Sequence, residues 1–208
     1  MIIKGLQKTT LLDFPGKVAC TVFTGGCNFR CPFCHNASLV LSPAELPDLS
    51  EEEFFDFLTK RRGILDGVCI TGGEPLLQKD IIPFLERIRA LGFGIKLDTN
   101  GYNPEKLIEI VNEGLCDYVA MDIKNSPDMY PKTVGVDGFD VSPILESAEF
   151  LMKRFKQGTT GYLSISAVST SSQNGNFYEL SASIGGALAG GGDKTCNFPV
   201  TDCCILSL

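Results

Sequence analysis

The sequence predicts an α/β fold built on parallel strands, and three observations carry that reading. Strand-like and helix-like segments alternate four times between Val18 and Arg154. The polar clusters of the chain fall just after the strand-like segments. The alternation then stops, because the chain beyond about Phe155 is rich in Ser, Gly and Thr and poor in charge. Strands that alternate with helices imply a parallel sheet with helical crossovers.

Residues 18–23 are β-branched and aromatic and read as the first strand, ended by Gly25-Gly26. Residues 37–49 contain Pro43 and Pro47 and read as a connection. Ser50 and Glu53 form a capping box, and Phe54, Phe57 and Leu58 supply the apolar face of a helix that ends near Arg62-Gly63. Residues 67–71 are a short buried strand that runs into Gly72-Gly73-Glu74-Pro75. A second helix spans about 77–90 with Ile81, Phe84, Leu85 and Ile88 inward. Pro83 delays its start or kinks it, and Gly92 and Gly94 mark its end.

Residues 95–98 form the third strand, which ends in Thr99-Asn100-Gly101. Asn103 caps a third helix with Pro104 at its first position, and Ile108, Val111 and Leu115 give its apolar side. Tyr118–Ile123 is the fourth strand, ending at Lys124, and Ser142-Pro143 opens a fourth helix that runs to about Arg154. In parallel folds of this kind, ligands sit beyond the C-terminal ends of the strands. Cys27, Gly72-Gly73-Glu74, Asp98-Thr99-Asn100-Gly101 and Asp122 with Lys124 all fall at that end.

Residues 1–155 therefore read as one core domain and 156–208 as a tail. Within the tail, residues 163–167 alternate and suit a fifth strand, while 177–188 suit at most a weak helix. The change in composition fits a flexible, poorly packed segment. It equally fits a segment foreign to the fold, as an altered reading frame would supply.

The chain has 208 residues, enough for one domain with a real core. Its net charge is -7 and no basic stripe is visible, which argues against nucleic acid as a main partner. No apolar run approaches the length of a membrane span, and the first eight residues lack the apolar region of a signal peptide. A cytoplasmic location is the default expectation. The nine cysteines are odd in number, which speaks against a disulfide framework. Cys20, Cys69 and Cys116 sit among apolar residues and read as small buried hydrophobes.

Cys27, Cys31 and Cys34 stand apart by their C-x3-C-x2-C spacing in a polar, Gly-rich run, Gly26-Cys27-Asn28-Phe29-Arg30-Cys31-Pro32-Phe33-Cys34-His35-Asn36. Three thiolates on one loop can hold three irons of a [4Fe-4S] cube and leave the fourth open. A cube that only carries electrons normally has four cysteines, so the pattern points to chemistry at the cluster. A zinc site with His35 as fourth ligand competes poorly, because adjacent residues rarely reach one metal and zinc ligands usually come as two separated pairs. Three ordinary buried thiols are the bland alternative. Phe33 either packs against a ligand, shields the cluster or fills the core, and the sequence leaves these open.

The cysteine run resembles the radical S-adenosylmethionine (radical SAM) enzymes. Its segment Cys31-Pro32-Phe33-Cys34-His35-Asn36 is similar to the activating enzymes of glycyl-radical enzymes, and Leu12-Asp13-Phe14-Pro15-Gly16 to the activating proteins of anaerobic ribonucleoside-triphosphate reductase. The resemblance covers residues 1 to about 154. It implies a partial (β/α) barrel, incomplete toward the C-terminus, since a full member has about six strand-helix units and four are secure here.

The same resemblance implies a [4Fe-4S] cluster on Cys27, Cys31 and Cys34, with S-adenosylmethionine as cosubstrate. Phe33, Cys34, His35, Gly72, Gly73, Glu74, Asp98, Asp122, Ile123 and Lys124 would surround it. Gly72-Gly73-Glu74 would meet its amino group, and Asp98, Thr99 and Asp122 would hold a monovalent cation. Lys124 would balance a substrate carboxylate or carbonyl. The implied reaction begins with an electron from a flavodoxin-like donor and gives a 5′-deoxyadenosyl radical that takes hydrogen from a backbone glycine of a partner. Anaerobic ribonucleotide reductase is the favoured partner.

The chain departs from the pattern in one respect. Activases of this type often carry a further histidine near the C-terminal end, and His35 is the only histidine here. Three alternatives stay open: a radical SAM enzyme acting on a small molecule, of the 7-carboxy-7-deazaguanine synthase type; a pure electron carrier; and a truncated, inactive cluster-binding protein.

Overall fold

Residues 1–156, 162–170 and 177–185 are described by the structure, a computed structural model, with side chains through Arg154. The β-branched and aromatic segments fold into a sheet in the order β1-β2-β3-β4-β5-β6-β7. The parallel part runs through β2 (Ala19–Thr24), β3 (Gly67–Gly72), β4 (Gly94–Thr99), β5 (Tyr118–Ile123) and β6 (Tyr162–Thr170). Two antiparallel strands flank it, β1 (Ile3–Thr10) beside β2 and β7 (Phe177–Gly185) beside β6. This is the α/β architecture that the alternation predicts.

The four crossover connections contain α1 (Ala37–Leu41) and α2 (Glu51–Thr59), then α3 (Ile81–Ala90), α4 (Pro104–Asn112), and finally α5 (Tyr130–Val134) with α6 (Ser142–Lys156). The capping box forms: the Glu53 N–H donates to the Ser50 hydroxyl, and the Ser50 N–H donates back to the Glu53 carboxylate. Asn103 caps α4 by accepting the Lys106 N–H at 3.1 Å. Pro83 lies in the first turn of α3, where its missing N–H would have had no helical partner. The helix therefore starts at Ile81 rather than at 77.

Four segments differ from the sequence expectation. β1 has no clear alternation of its own and becomes a strand by pairing with β2. The stretch 37–49 is not a plain connection, because Ala37–Leu41 closes a helical turn on Asn36 and Pro43–Glu45 forms a 3-10 turn. α5 is too short to show a period, and ends on Gly135 in the left-handed conformation. Phe177–Gly185 is a strand rather than a weak helix, since its backbone pairs along the whole length of β6. The rest of the 156–208 segment lies outside the described residues.

The pleat sorts the strand side chains by face. Cys20, Val22, Val68, Ile70, Ile95, Leu97, Val119, Met121 and Ile123 join Phe54, Leu58, Phe84, Leu85, Ile88 and Ile110 in one core beneath the helices. Phe54 and Phe84 stack there at 5.2 Å between centroids. Each such fully buried side chain contributes roughly 1.5–3 kcal/mol. The alternate positions face the other way, and Lys96, Asp98, Cys69 and Asp122 lie among them. That inner face leads up to the C-terminal rim, where the site is built.

Candidate active site

The rim is assembled by backbone before any side chain acts. The Gly73 N–H donates to Thr24 O at 2.9 Å and the Glu74 N–H to Gly26 O at 2.8 Å. The end of β3 is thereby laced along the start of the cysteine loop. A Cβ at Gly73 would sit 1.9 Å from the Gly26 carbonyl oxygen, and one at Gly72 would sit 2.3 Å from the Thr24 nitrogen. Glycine is required here because protein backbone approaches that closely. The resemblance gave the same two glycines a place beside the amino group of S-adenosylmethionine.

The Glu74 side chain turns inward and is 2 % exposed. Its carboxylate accepts from the Leu76 N–H at 3.0 Å, the Thr99 hydroxyl at 2.7 Å and the Asn100 N–H at 2.7 Å. Burial pushes its pKa up to about 7, against those hydrogen bonds, which favour the charged form. Glu74 thus joins the β3 and β4 ends, a structural duty that its motif did not announce.

The cysteine loop is held from three sides. Asn36 donates from its side-chain amide to Gly72 O, and the Gly26 N–H reaches Leu39 O at 2.8 Å. Asn100 donates to the Asn28 side-chain oxygen at 2.8 Å. Below, Phe29 is 2 % exposed and sits in an aromatic cluster with Tyr102, Tyr130 and Phe139, with centroids 5.0 to 6.3 Å apart. Tyr130 also accepts the Lys124 N–H on its hydroxyl at 3.1 Å. These anchoring residues were missed in the sequence. Phe29, inside the C-x3-C segment, was the one visible signal.

Cys27, Cys31 and Cys34 are all half-buried and border one cavity of about 400 Å³. Phe33 and the exposed His35 border it too, as do Gly72, Gly73, Glu74, Asp98, Thr99, Asp122 and Lys124. The four strand-end clusters that the sequence placed at one end of the sheet are thus brought together. Ile123 is the exception: it is 3 % exposed and packs into the apolar core, because its odd register along β5 points it to the helix face.

Asp122 and Asp98 are each matched by an ammonium group. The Lys124 ammonium donates to Asp122 at 2.7 Å. Burial works to lower the Lys124 pKa, but the Asp122 charge and hydrogen bond outweigh it and the net shift is upward. The Lys96 ammonium contacts Asp98. Thr99 uses its hydroxyl on Glu74, on the opposite face of β4 from Asp98. Asp98, Thr99 and Asp122 are thus each committed to a different partner: Lys96, Glu74 and Lys124.

The thiols fit a cluster better than a single ion. Among the described residues no three His, Cys, Asp or Glu side chains converge on one metal-ion position. In a cube each thiolate binds a different iron, so convergence is not needed. Burial pushes the Cys27 thiol upward and the Cys31 thiol to about 11, with Lys124 working against the rise at Cys31. Cys20 and Cys69 are buried away from the loop, and Cys116 is half-buried at the far end of the sheet. Cys196, Cys203 and Cys204 lie outside the described residues.

A thiol-lined cavity thus lies beyond the C-terminal ends of the parallel strands, with sulfur donors of the kind that suit an iron-sulfur cluster. The Radical SAM superfamily model matches residues 21–166, and the chain belongs to that family. Its members use a [4Fe-4S] cluster and S-adenosylmethionine. The chain is 37% identical over 137 residues to a Methanocaldococcus jannaschii protein named "Putative glycyl-radical enzyme activating enzyme", covering 64% of this chain and 54% of that one. It is 33% identical over 146 residues to the pyruvate formate-lyase-activating enzyme of Clostridium pasteurianum, covering 66% and 60%. The chain thus spans little more than half the length of these relatives. A crystal structure of QueE from Escherichia coli superposes with a TM-score of 0.46 at 16% identity, over 78% of this chain and 81% of that one. Among the described residues no helix is long and apolar enough to cross a membrane.

Proposed function

We propose that this chain reductively cleaves S-adenosylmethionine and uses the product radical to install a glycyl radical on a partner enzyme. The observation that carries the reading is the meeting of three half-buried thiols, from one C-x3-C-x2-C loop, with three other strand-end clusters in one cavity. Similarity to two relatives with activase names supports the same reaction class.

Cys27, Cys31 and Cys34 are the residues that would hold the cluster. When bound, the cluster supplies the single electron that breaks the sulfonium S–C5′ bond of S-adenosylmethionine. Thiols lose their protons when they bind metal, and burial of Cys27 and Cys31 favours the protonated form further, so loading displaces protons. Glu74 fixes the floor by tying β3 to β4. Asp122 and Lys124 present a matched charge pair toward the polar groups of the ligand, and Phe33 and His35 stand at the mouth. The protein's contribution is position and partial exclusion of water.

Anaerobic ribonucleotide reductase is the partner we favour, with a flavodoxin-like donor and a cytoplasmic setting. Support comes from the Leu12-Asp13-Phe14-Pro15-Gly16 segment. In the structure Asp13 accepts the Thr21 hydroxyl, Phe14 is buried edge-on to Tyr118, and Leu12 is 88 % exposed.

The test is anaerobic reconstitution, reduction and an assay for 5′-deoxyadenosine, followed by mixing with the reductase and electron paramagnetic resonance for a glycyl doublet. Product and doublet are expected, with both lost in Cys27→Ala. Unchanged product in Cys27→Ala overturns the cluster assignment. Product without a doublet on any glycyl-radical partner favours a small-molecule substrate.

A further inference from the structure

The inner face of the sheet holds a positive charge against Asp98, one of the three residues to which the family resemblance gives a metal ion. Lys96 and Asp98 are two residues apart on β4, so both side chains project to the inner face. Lys96 is 8 % exposed, and its ammonium contacts the Asp98 carboxylate directly. The same ammonium lies 3.7 Å from the Cys69 sulfur and 5.7 Å from the Tyr118 ring centroid. Cys69 in turn donates its S–H to the other Asp98 oxygen at 3.6 Å. Both oxygens of Asp98 are thus engaged from below, while its residue borders the cavity above.

The other two members of the expected cation site are also committed. The Thr99 hydroxyl donates to Glu74 at 2.7 Å and its oxygen accepts the Gly101 N–H at 3.0 Å. Asp122 accepts from the Lys124 ammonium. Two carboxylates therefore face two ammonium groups. An added monovalent ion would find Asp98 and Asp122 already paired and would be repelled by the ammonium already in place.

We propose that Lys96 is a tethered cation. Its ammonium supplies at Asp98 the single positive charge that the resemblance assigns to a bound monovalent metal ion, and so positions Asp98 without Na⁺ or K⁺. Lys96 acts through Asp98 and is a positioning residue. The proposal rests on the reading of this cavity as the S-adenosylmethionine site.

The test uses the cluster-loaded full chain at fixed ionic strength, in KCl, NaCl or tetramethylammonium chloride, whose cation is too bulky for a carboxylate site. The readouts are the thermal midpoint and the S-adenosylmethionine dissociation constant. Wild type is expected to hold its midpoint within about 1 °C and its affinity within about twofold in all three salts. Lys96→Met is expected to lose about tenfold in affinity in tetramethylammonium and to regain it in KCl or NaCl, with a midpoint rise of about 3 °C.

A wild type that weakens in tetramethylammonium overturns the proposal. So does a Lys96→Met variant that is unimpaired, or impaired but unmoved by Na⁺ or K⁺. If Lys96→Met does not fold, Lys96→Met with Asp98→Asn removes both charges. A folded, salt-indifferent double variant supports the proposal, and a second failure to fold overturns it. The midpoint answers the cation question even if no S-adenosylmethionine is bound or cleaved, so failure of the functional reading remains separable.

Discussion

The Asn100 N–H donates to the Glu74 carboxylate at 2.7 Å, and this bond ties the loop after β3 to the loop after β4. Glu74 is buried and its pKa is raised from 4.5 to about 7. Between these values the folded state keeps a proton that the unfolded state has lost. Stability from this group is therefore full below about pH 4.5 and declines as pH rises toward 7. Glu74→Gln removes the titration and leaves a donor facing the Asn100 N–H. The prediction is that the stability gap between wild type and Glu74→Gln narrows by on the order of 3 kcal/mol from pH 4.5 to pH 8. Urea unfolding of the reduced, metal-free proteins measures it, and parallel pH curves would remove Glu74 as the titrating group.

Gly73 and Gly63 separate crowding from backbone preference. A Cβ at Gly73 meets the Gly26 carbonyl oxygen at 1.9 Å, whereas Gly63 has φ +75° and nothing within 4 Å. Gly73→Ala is expected to cost more than about 3 kcal/mol, because backbone must move. It should also lower iron uptake, since Gly26 precedes Cys27. Gly63→Ala is expected to cost about 1 kcal/mol. Equal urea midpoints for the two variants would contradict the close packing.

The Tyr130 hydroxyl accepts the Lys124 N–H from a ring that is 1 % exposed. Tyr130→Phe keeps the ring in its cluster and deletes only the acceptor. A loss of about 1–3 kcal/mol is expected from the N–H left unpaired. Hydrogen exchange at the Lys124 amide should quicken more than at Val119, and equal acceleration at both sites would point to general loosening.

Phe29 and Phe33 lie on the same loop and both border the cavity, but to different depths. Phe29 is 2 % exposed and packed in the core, while Phe33 is half-buried. Phe29→Ala is expected to cost about 3–5 kcal/mol. Phe33→Ala is expected to cost less than about 1.5 kcal/mol and to act mainly on S-adenosylmethionine affinity. Thermal midpoints paired with ligand binding distinguish them, and a reversed order would show that the loop packs the other way round.

Much of this architecture was legible before the structure. Tyr118–Ile123 was predicted residue for residue, and the Ser50 and Asn103 caps operate as their spacing implied. Such features depend on residues close in sequence, where pleat, period and cap chemistry act locally. β1 and α5 were not legible, because one takes its form from pairing with β2 and the other has five residues and no period. The odd register of Ile123 was present in the alternation, yet motif resemblance drew it into the site.

The sequence by itself determined the parallel α/β order, the cysteine loop and the end of the sheet at which polar residues gather. Those follow from periodicity and spacing, which a linear chain carries openly. Only the tertiary structure decided how the polar residues are spent: Glu74 on Asn100, Lys96 on Asp98, Lys124 on Asp122, and Gly73 on the backbone of Gly26. Pairings across strands depend on which faces and ends are brought within a few ångströms. Charge and hydrogen-bond partners are therefore set by register between distant segments and not by the motifs that name them.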